Sequence, residues 1–349
     1  MTKLSQLDQN FAARTEEDGL CYRNVAQLPE LFYGLMWSEH EGYYRMPADV
    51  ASTVNTQVRE LAPCTAGGRV RFVTDSKTIA LRVQLQHIFG TANMAYIGTA
   101  GFDLYERVGK TWKFCCSFSP EGGECYTDSW SFPDAKIRSL QIHFPLYAGV
   151  KKLELGLQPN AVLQPLPYED TVPVIFYGSS ITQGGCASRP GCAYTAILSR
   201  ELDFDYRNLG FSSGARAENT MIEYLKNQPM RLLVLDYDHN APNPAYLEKT
   251  HYPMYEKLRR ALPDIPIVLV SAPVANPNAE WLARRDIVRT TYERAIADGD
   301  DRIAFVDGTQ MFPAEAAQEC MVDIYHPNDL GMHYMAKAFV STMQKLLNS

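Results

Sequence analysis

The apolar residues of this chain change period near residue 170, and that change constrains the fold more than any other feature. Ahead of it, Ile79-Ala80-Leu81-Arg82-Val83-Gln84-Leu85-Gln86 alternates apolar and polar side chains, the period of a strand with one covered face. Leu140, Ile142 and Phe144 repeat the alternation, as do Leu153, Leu155 and Leu157, with Gly67-Gly68, Pro120 and Gly122-Gly123 as turns between such runs. Short antiparallel strands with these turns predict an all-β, jelly-roll-like sandwich. Beyond the change, Val174-Ile175-Phe176-Tyr177, Leu232-Leu233-Val234-Leu235, Ile267-Val268-Leu269-Val270 and Ile303-Ala304-Phe305-Val306 are continuous apolar runs, as expected of strands buried on both faces. Helical stretches separate them, around Tyr194 to Leu202 and Trp281 to Ala297. In the last one Met332, Met335, Ala336, Phe339, Val340, Met343 and Leu347 share a face, and Asn328 or Asp329 caps its start. Strands alternating with helices predict an α/β domain with a parallel sheet and helices on both sides. Gln158 to Pro173, with prolines at 159, 165, 167 and 173, reads as the linker. The expected division is a β-sandwich over residues 1–165 and an α/β domain over residues 166–349.

A length of 349 residues suits two cores rather than one. The net charge of −7 argues against nucleic acid or an anionic membrane as partner, because both need a basic face. No stretch approaches the roughly 18 consecutive apolar residues of a membrane span. Met1 to Leu20 is polar, carries Glu16, Glu17 and Asp18, and lacks the basic start and apolar centre of a signal peptide; a cytoplasmic location is the expectation. The 8 cysteines are irregularly spaced, with no CxxC repeat or Cys/His cluster for zinc. They read as reduced thiols, with Cys186 and Cys192, flanking a short loop, as the pair to check.

Two short segments carry reactive side chains. Gly178-Ser179-Ser180-Ile181-Thr182-Gln183-Gly184 follows the first apolar run, and Asp323-Ile324-Tyr325-His326-Pro327 precedes the last helix. Carboxyl ends of parallel strands are where such sheets build their sites, and Ser180 falls at one. A serine hydroxyl becomes a nucleophile when an adjacent base takes its proton, and a carboxylate on the other ring nitrogen holds an imidazole base in the right tautomer. Ser180, His326 and Asp323 supply those groups, and the three-residue spacing lets Asp323 reach the ring of His326. His333 competes for the base but falls within the helix. The loop lacks the lysine of a phosphate-binding P-loop. Asn208-Leu209-Gly210-Phe211-Ser212 and Asp236-Tyr237-Asp238-His239-Asn240 land on the same sheet edge. Acyl transfer needs donors converging on a developing oxyanion, and a glycine N–H or an asparagine amide can serve.

These blocks resemble the SGNH (GDSL-type) hydrolases, named for a Ser, Gly, Asn and His in separate blocks. The resemblance implies a flavodoxin-like hydrolase domain, with Ser180 as nucleophile, His326 as base, Asp323 as its orienting acid, and an oxyanion hole from the Ser180 N–H, Gly210 and Asn240. The usual Asp of Gly-Asp-Ser is Ser179 here, and Asp236-x-x-x-Asn240 replaces the usual Gly-x-Asn-Asp, so Asp238 and His239 stay open as alternatives to Asn240. Gly101-Phe102-Asp103-Leu104-Tyr105 is similar to the GxDLY signature of a β-domain found ahead of an SGNH subgroup. In that subgroup the pairing implies esterase or acyltransferase chemistry on small acyl groups, often on sugars, without metal or organic cofactor. An inactive carbohydrate-binding protein is the reading from another class. No long apolar lid follows the serine and Asn240-Ala241-Pro242-Asn243-Pro244 looks like a short polar insertion, so a small, acetyl-sized acyl pocket is expected. Trp37 and Tyr43-Tyr44 are candidates to stack on a sugar, against core packing.

Overall fold

The computed structural model describes residues 19–120 and 122–348; the acidic stretch read ahead of Gly19 lies outside them. The N-terminal half is a sandwich of two antiparallel sheets. One runs in the order Met36–Ser38, Gly42–Tyr44, Gly149–Leu157, Thr78–Gln86, Cys125–Ser131, with Cys21–Asn24 added against Gly149–Leu157. The other runs Gln164–Pro165, Arg69–Thr74, Arg138–His143, Phe102–Val108, Thr111–Phe118, with Phe32–Tyr33 added against Arg69–Thr74. Ile79, Leu81, Val83 and Leu85 from the first sheet meet Val70, Leu104, Leu140 and Ile142 from the second in one core. The alternation in Thr78–Gln86 does what the pattern predicts, since Arg82 and Gln84 on the other face are exposed.

The second sheet departs from that rule. In register, Val70, Ile142 and Leu104 form an apolar row toward the core, while Arg69, His143 and Asp103 form the next row on the opposite face. That opposite face is not solvent: Arg69, Arg71, Asp103, Gln141 and His143 are all buried against the C-terminal half. Arg71 pairs with Asp203 at 2.9 Å, Arg69 with Asp205, Arg189 with Asp103 at 3.0 Å, and Arg200 meets the His143 ring at 2.9 Å. The Gly-x-Asp-Leu-Tyr signature is part of this dock. Asp103 Oδ2 accepts from Arg189 and, at 2.9 Å, from the Gly191 N–H, and the Tyr105 hydroxyl accepts from Arg189. Burial pushes the Asp103 carboxyl up, against the pull of Arg189 and Arg200.

The C-terminal half is a parallel five-stranded sheet in the order Tyr206–Gly210, Val174–Gly178, Leu232–Asp236, Ile267–Val270, Ile303–Val306. The second strand in sequence lies at the edge and the first beside it, the flavodoxin-like arrangement. Helices Tyr194–Leu202 and Asp329–Leu347 pack together as one layer, and Asn219–Lys226, Pro244–Ala261 and Ala279–Ala297 as the other. Met332, Met335, Ala336, Phe339 and Met343 are buried, while Val340 and Leu347 are partly so. Asn328 caps this helix, accepting from the Leu330 and Gly331 N–H groups. The segment Asn240–Pro244, read as a polar insertion, instead launches the 18-residue helix Pro244–Ala261, with Asn243 as its cap and Pro244 at the first turn, where a missing N–H costs nothing.

The sheets change type between Gln164–Pro165 and Val174–Gly178, but the cores do not divide there. Met46, Ala51, Val58, Leu61, Cys64 and Ala66 belong to the C-terminal core, carried there by helices Ala48–Val54 and Thr56–Leu61. Leu146 and Tyr147 join them. All eight cysteines are free, Cys186 and Cys192 included. Among the described residues, no helix is long and apolar enough to cross a membrane.

Candidate active site

Ser180 opens a one-turn helix, Ser180–Gln183, directly after the strand Val174–Gly178. Ser179 caps it, accepting from the Ile181 N–H at 3.2 Å. Glycine is required just before: a Cβ on Gly178 would lie 2.1 Å from Thr182 Oγ1 and 2.4 Å from Asp236 O. The turn is therefore pressed onto the sheet, and Ser180 itself is 5% exposed. His326 and Asp323 lie in the turn before the last helix, closed by the Val322 N–H donating to His326 O at 2.9 Å.

Packing of that turn brings the three side chains into line. Ser180 Oγ lies 3.0 Å from His326 Nε2. His326 Nδ1 lies 2.9 Å from Asp323 Oδ2 and 3.1 Å from Oδ1. Oδ1 also accepts from the N–H groups of Tyr325 and His326 at 2.7 Å each, and Oδ2 from Asn93 Nδ2 at 2.7 Å. Partial burial raises the Asp323 carboxyl, but the donations from the His326 ring and the two N–H groups outweigh it and hold it at about 2. A fixed carboxylate on Nδ1 leaves Nε2 as the basic nitrogen, facing the hydroxyl. His333 is exposed on the last helix and meets the Tyr334 ring edge-on.

These groups open onto a cavity of about 850 Å³ that Asn240, His239, Trp281 and Tyr325 also line. The Asn240 amide donates to Phe211 O at 2.9 Å, which fixes its plane and leaves the second amide hydrogen free for another acceptor. His239 stacks on Trp281 with ring centroids 5.0 Å apart and meets Tyr325 edge-on at 5.6 Å. Burial, then the neighbouring His326 and Arg284, depress the His239 imidazole to about 3, so it is a neutral wall. Asp238 lies behind the cavity, 1% exposed, accepting from the Ala272 N–H at 2.9 Å. Arg284 holds this loop from below by donating to Asp238 O at 2.8 Å and Ala241 O at 2.9 Å.

Gly210 does not take the place expected of it. Its N–H donates to Asn208 Oδ1 at 2.9 Å, and it is absent from the cavity wall. It is a glycine because a Cβ would fall 2.3 Å from Gln183 N, so its service is to let the Ser180 turn lie flat on the neighbouring strand. The cavity is reached instead by Ser212 and Ser213. The Ser212 N–H is turned to Gln183 Oε1 at 3.3 Å. Ser213 adopts a left-handed backbone, φ +55°, and among the described residues its N–H has no partner. The candidate sugar-stacking residues of the N-terminal half are likewise elsewhere: Tyr43 is buried against Phe32 and Phe144, and Trp37 lies on an outer strand of the sandwich. Besides the two imidazoles, the aromatic rings that line the cavity are Trp281 and Tyr325. Tyr325 stands inside the Asp323–His326 motif itself, whereas Trp281 opens a helix and bore no sign of a site.

Comparison with known proteins agrees with this architecture. Residues 171–344 match the GDSL-like Lipase/Acylhydrolase family, and residues 20–163 match the GxDLY family, described as the N-terminus of Esterase_SGNH_hydro-type. No curated protein sequence matches the chain. Among solved structures, a protein from Bacteroides ovatus described as a GDSL-like lipase is similar at TM-score 0.84 and 26% identity, over 95% of this chain and 98% of that one. The salicylyl-acyltransferase SsfX3 from a tetracycline biosynthetic pathway is similar at TM-score 0.76 and 19% identity, over 95% and 98%. An acetyl xylan esterase, Est2A, from the rumen bacterium Butyrivibrio proteoclasticus shares the fold at TM-score 0.58 and 14% identity, over 95% and 99%. With both of its halves matched in this order, the chain belongs to the GDSL-like lipase/acylhydrolase family, as a member of SGNH type preceded by a GxDLY domain.

Proposed function

We propose that this esterase-family protein cleaves short acyl esters, acetyl esters of carbohydrates first among them, through an acyl-enzyme on Ser180. The observation that carries the proposal is the unbroken line from Ser180 Oγ to His326 Nε2 at 3.0 Å and from His326 Nδ1 to Asp323 at 2.9 Å, opening onto the cavity. In this reading His326 takes the serine proton as the hydroxyl attacks the ester carbonyl, then gives it to the departing alcohol. It next takes a proton from the water that releases the acid. Asp323 keeps the ring in the required tautomer. Oxyanion donors are the Ser180 N–H, the free hydrogen of the Asn240 amide and the Ser213 N–H, the last in place of Gly210.

Support for a short acyl group comes from Ser212, Ser213, Asn276 and Asn278 in the lining, which interrupt the apolar surface that Pro242, Val274, Met321 and Ile324 supply there. Trp281 and Tyr325 are placed to stack on a sugar ring, and a similar fold serves the acetyl xylan esterase. A second reading keeps the site and changes the acceptor. The cavity of about 850 Å³ far exceeds an acetyl group, which leaves room for an organic alcohol, and the salicylyl-acyltransferase shares the fold.

The test is a panel of p-nitrophenyl esters of increasing chain length together with acetylated sugars, each with and without an added alcohol acceptor. Turnover greatest for acetyl, with labelling of Ser180 by a fluorophosphonate, is the expected result. Specificity constants rising steadily to decanoyl would overturn the short-acyl reading, and transfer to the alcohol exceeding hydrolysis would replace esterase by acyltransferase.

A further inference from the structure

The N-terminal half reaches the site through two side chains: the Tyr147 hydroxyl donates to Ser180 O at 3.3 Å, and Asn93 reaches the carboxylate of Asp323. Asn93 lies between the strand Thr78–Gln86 and the short helix Tyr96–Ala100, and its amide donates to Asp323 Oδ2 at 2.7 Å across 230 positions of sequence. The segment carrying it is docked. The Phe89 N–H donates to Tyr147 O at 2.9 Å, and the Leu146 and Tyr147 N–H groups donate to Gly98 O and Thr99 O at 3.1 Å. Phe89 and Met94 pack against the C-terminal core. Asp323 itself is in an outlying turn, its side chain 31% exposed, and among the described residues Asn93 and His326 are the side chains bonded to the carboxylate.

We propose that Asn93 is a positioning residue: through its amide, the N-terminal domain holds the Asp323 carboxylate in the plane that points His326 at Ser180. The inference rests on the reading of these three residues as an esterase site. Oδ2 is the oxygen 2.9 Å from His326 Nδ1, so a second donor on it both fixes the carboxylate plane and shares its charge. The other groups around the pair are Cys186, His239 and Tyr325, with Arg284 behind His239. Burial, with Asp323 nearby, pushes the Cys186 thiol up to about 11, and His239 is neutral, so Asp323 is the anion that the His326 ring faces. Without the Asn93 amide, more of that charge is available to the protonated ring. The acid limb of the rate profile then moves to higher pH. A carboxylate in place of the amide adds a further negative charge and moves the limb further in the same direction.

The test uses the full chain with Asn93→Ala, Asn93→Asp and Asn93→Gln. The readouts are kcat and KM for p-nitrophenyl acetate between about pH 5 and 9, melting temperature, and NMR titration of the His326 ring protons. Asn93→Ala is expected to lower kcat about tenfold, as for loss of one hydrogen bond to a charged group. KM should not change, because Asn93 does not line the cavity. The acid limb and the ring titration should both move to higher pH, further in Asn93→Asp, while Asn93→Gln restores most of the rate. Wild-type kcat with an unmoved titration in Asn93→Ala would overturn the proposal. So would a loss of rate that comes with a lower melting temperature and an unmoved titration, the mark of a packing role. A wild-type chain that neither turns over esters nor takes a fluorophosphonate would refute the esterase reading instead, and the titration would still decide the role of Asn93.

Discussion

Two sheets of this molecule are covered on both faces, and the coverings are opposite in kind. In the parallel sheet Val174, Ile175, Val234, Leu235, Ile267 and their neighbours are buried in one apolar core. The docking sheet of the sandwich has an apolar face and a face of arginine, aspartate, glutamine and histidine that is just as buried. Apolar burial has no preferred direction, so it gives the parallel sheet stability and leaves chemistry to the loops at its carboxyl edge. Ion pairs and hydrogen bonds have geometry. The dock therefore sets one orientation of sandwich against hydrolase domain, the one that brings Tyr147 and Asn93 to the backs of Ser180 and Asp323.

If the comparison is sound, the edge of the parallel sheet should govern rate and the dock should govern stability. The largest expected effect is on rate. Ser180→Ala should lower turnover by roughly 10⁴- to 10⁶-fold with melting unchanged, and His326→Ala added to it should cost almost nothing more, because such groups act as one unit. Asn240→Ala should lose roughly 10²- to 10³-fold, as for one oxyanion donor. Esterase assays and thermal melts on the same preparations check both halves; a large fall in melting temperature in Ser180→Ala would mean that the edge also carries stability and would break the comparison.

At the dock the expectation reverses. Asp103 is fully buried and its partner Arg189 is 24% exposed; removing one member of a fully buried pair costs about 3–5 kcal/mol because the other is left uncompensated, and that range is the upper bound here. Asp103→Ala should lower the urea midpoint accordingly, and adding Arg189→Ala should cost much less than it does alone. Strict additivity of the two losses would show that the pair is not coupled.

The same contrast explains what could be read from the residues alone. Val174–Tyr177, Leu232–Leu235, Ile267–Val270 and Ile303–Val306 are legible as buried strands because burial on both faces demands unbroken apolar runs. The edge strand Tyr206–Gly210 has no such run: Asn208 and Gly210 are committed to the Ser180 turn, so the segment reads only as a loop with a useful glycine. That is why Gly210 looked like a donor. Position in a motif says nothing of an N–H already taken by Asn208. The polar face of the docking sheet obeys strict alternation and is indistinguishable, as a pattern, from a solvated face. Ser180, Asp323 and His326 were legible because their residue types and spacing are demanded by one chemistry, whereas Asn93 is a lone amide in a loop between Phe89 and Met94 and gives no signal before the chain is folded.

The smallest expected effect concerns a buried carboxyl at the end of a strand of the parallel sheet. Asp236 ends the strand behind Ser180, fully enclosed, accepting from the Thr182 and Tyr194 hydroxyls at 2.8 Å each. Burial, then the nearby Asp238, raises its carboxyl to about 7 despite those two donors, and burial raises Asp238 to about 6. Both groups therefore bind protons more tightly in the folded chain than in the unfolded one, where a carboxyl titrates near 4. The sign follows: this contribution to stability is complete below about pH 4 and is lost as pH rises through about 6 to 7. Asp323 runs the other way, since its carboxyl is held at about 2 and its contribution is lost only as pH falls toward that value. Asp236→Asn keeps an oxygen to accept from Thr182 and Tyr194 but has no charge to bury. The variant should lose less stability than the wild type between about pH 5 and 8, so urea midpoints of the two chains should converge, or cross, as pH rises. A gap of the same size at both ends of that range would mean that Asp236 is not the group being ionised, and the parallel sheet would then be as indifferent to pH as its apolar lining suggests.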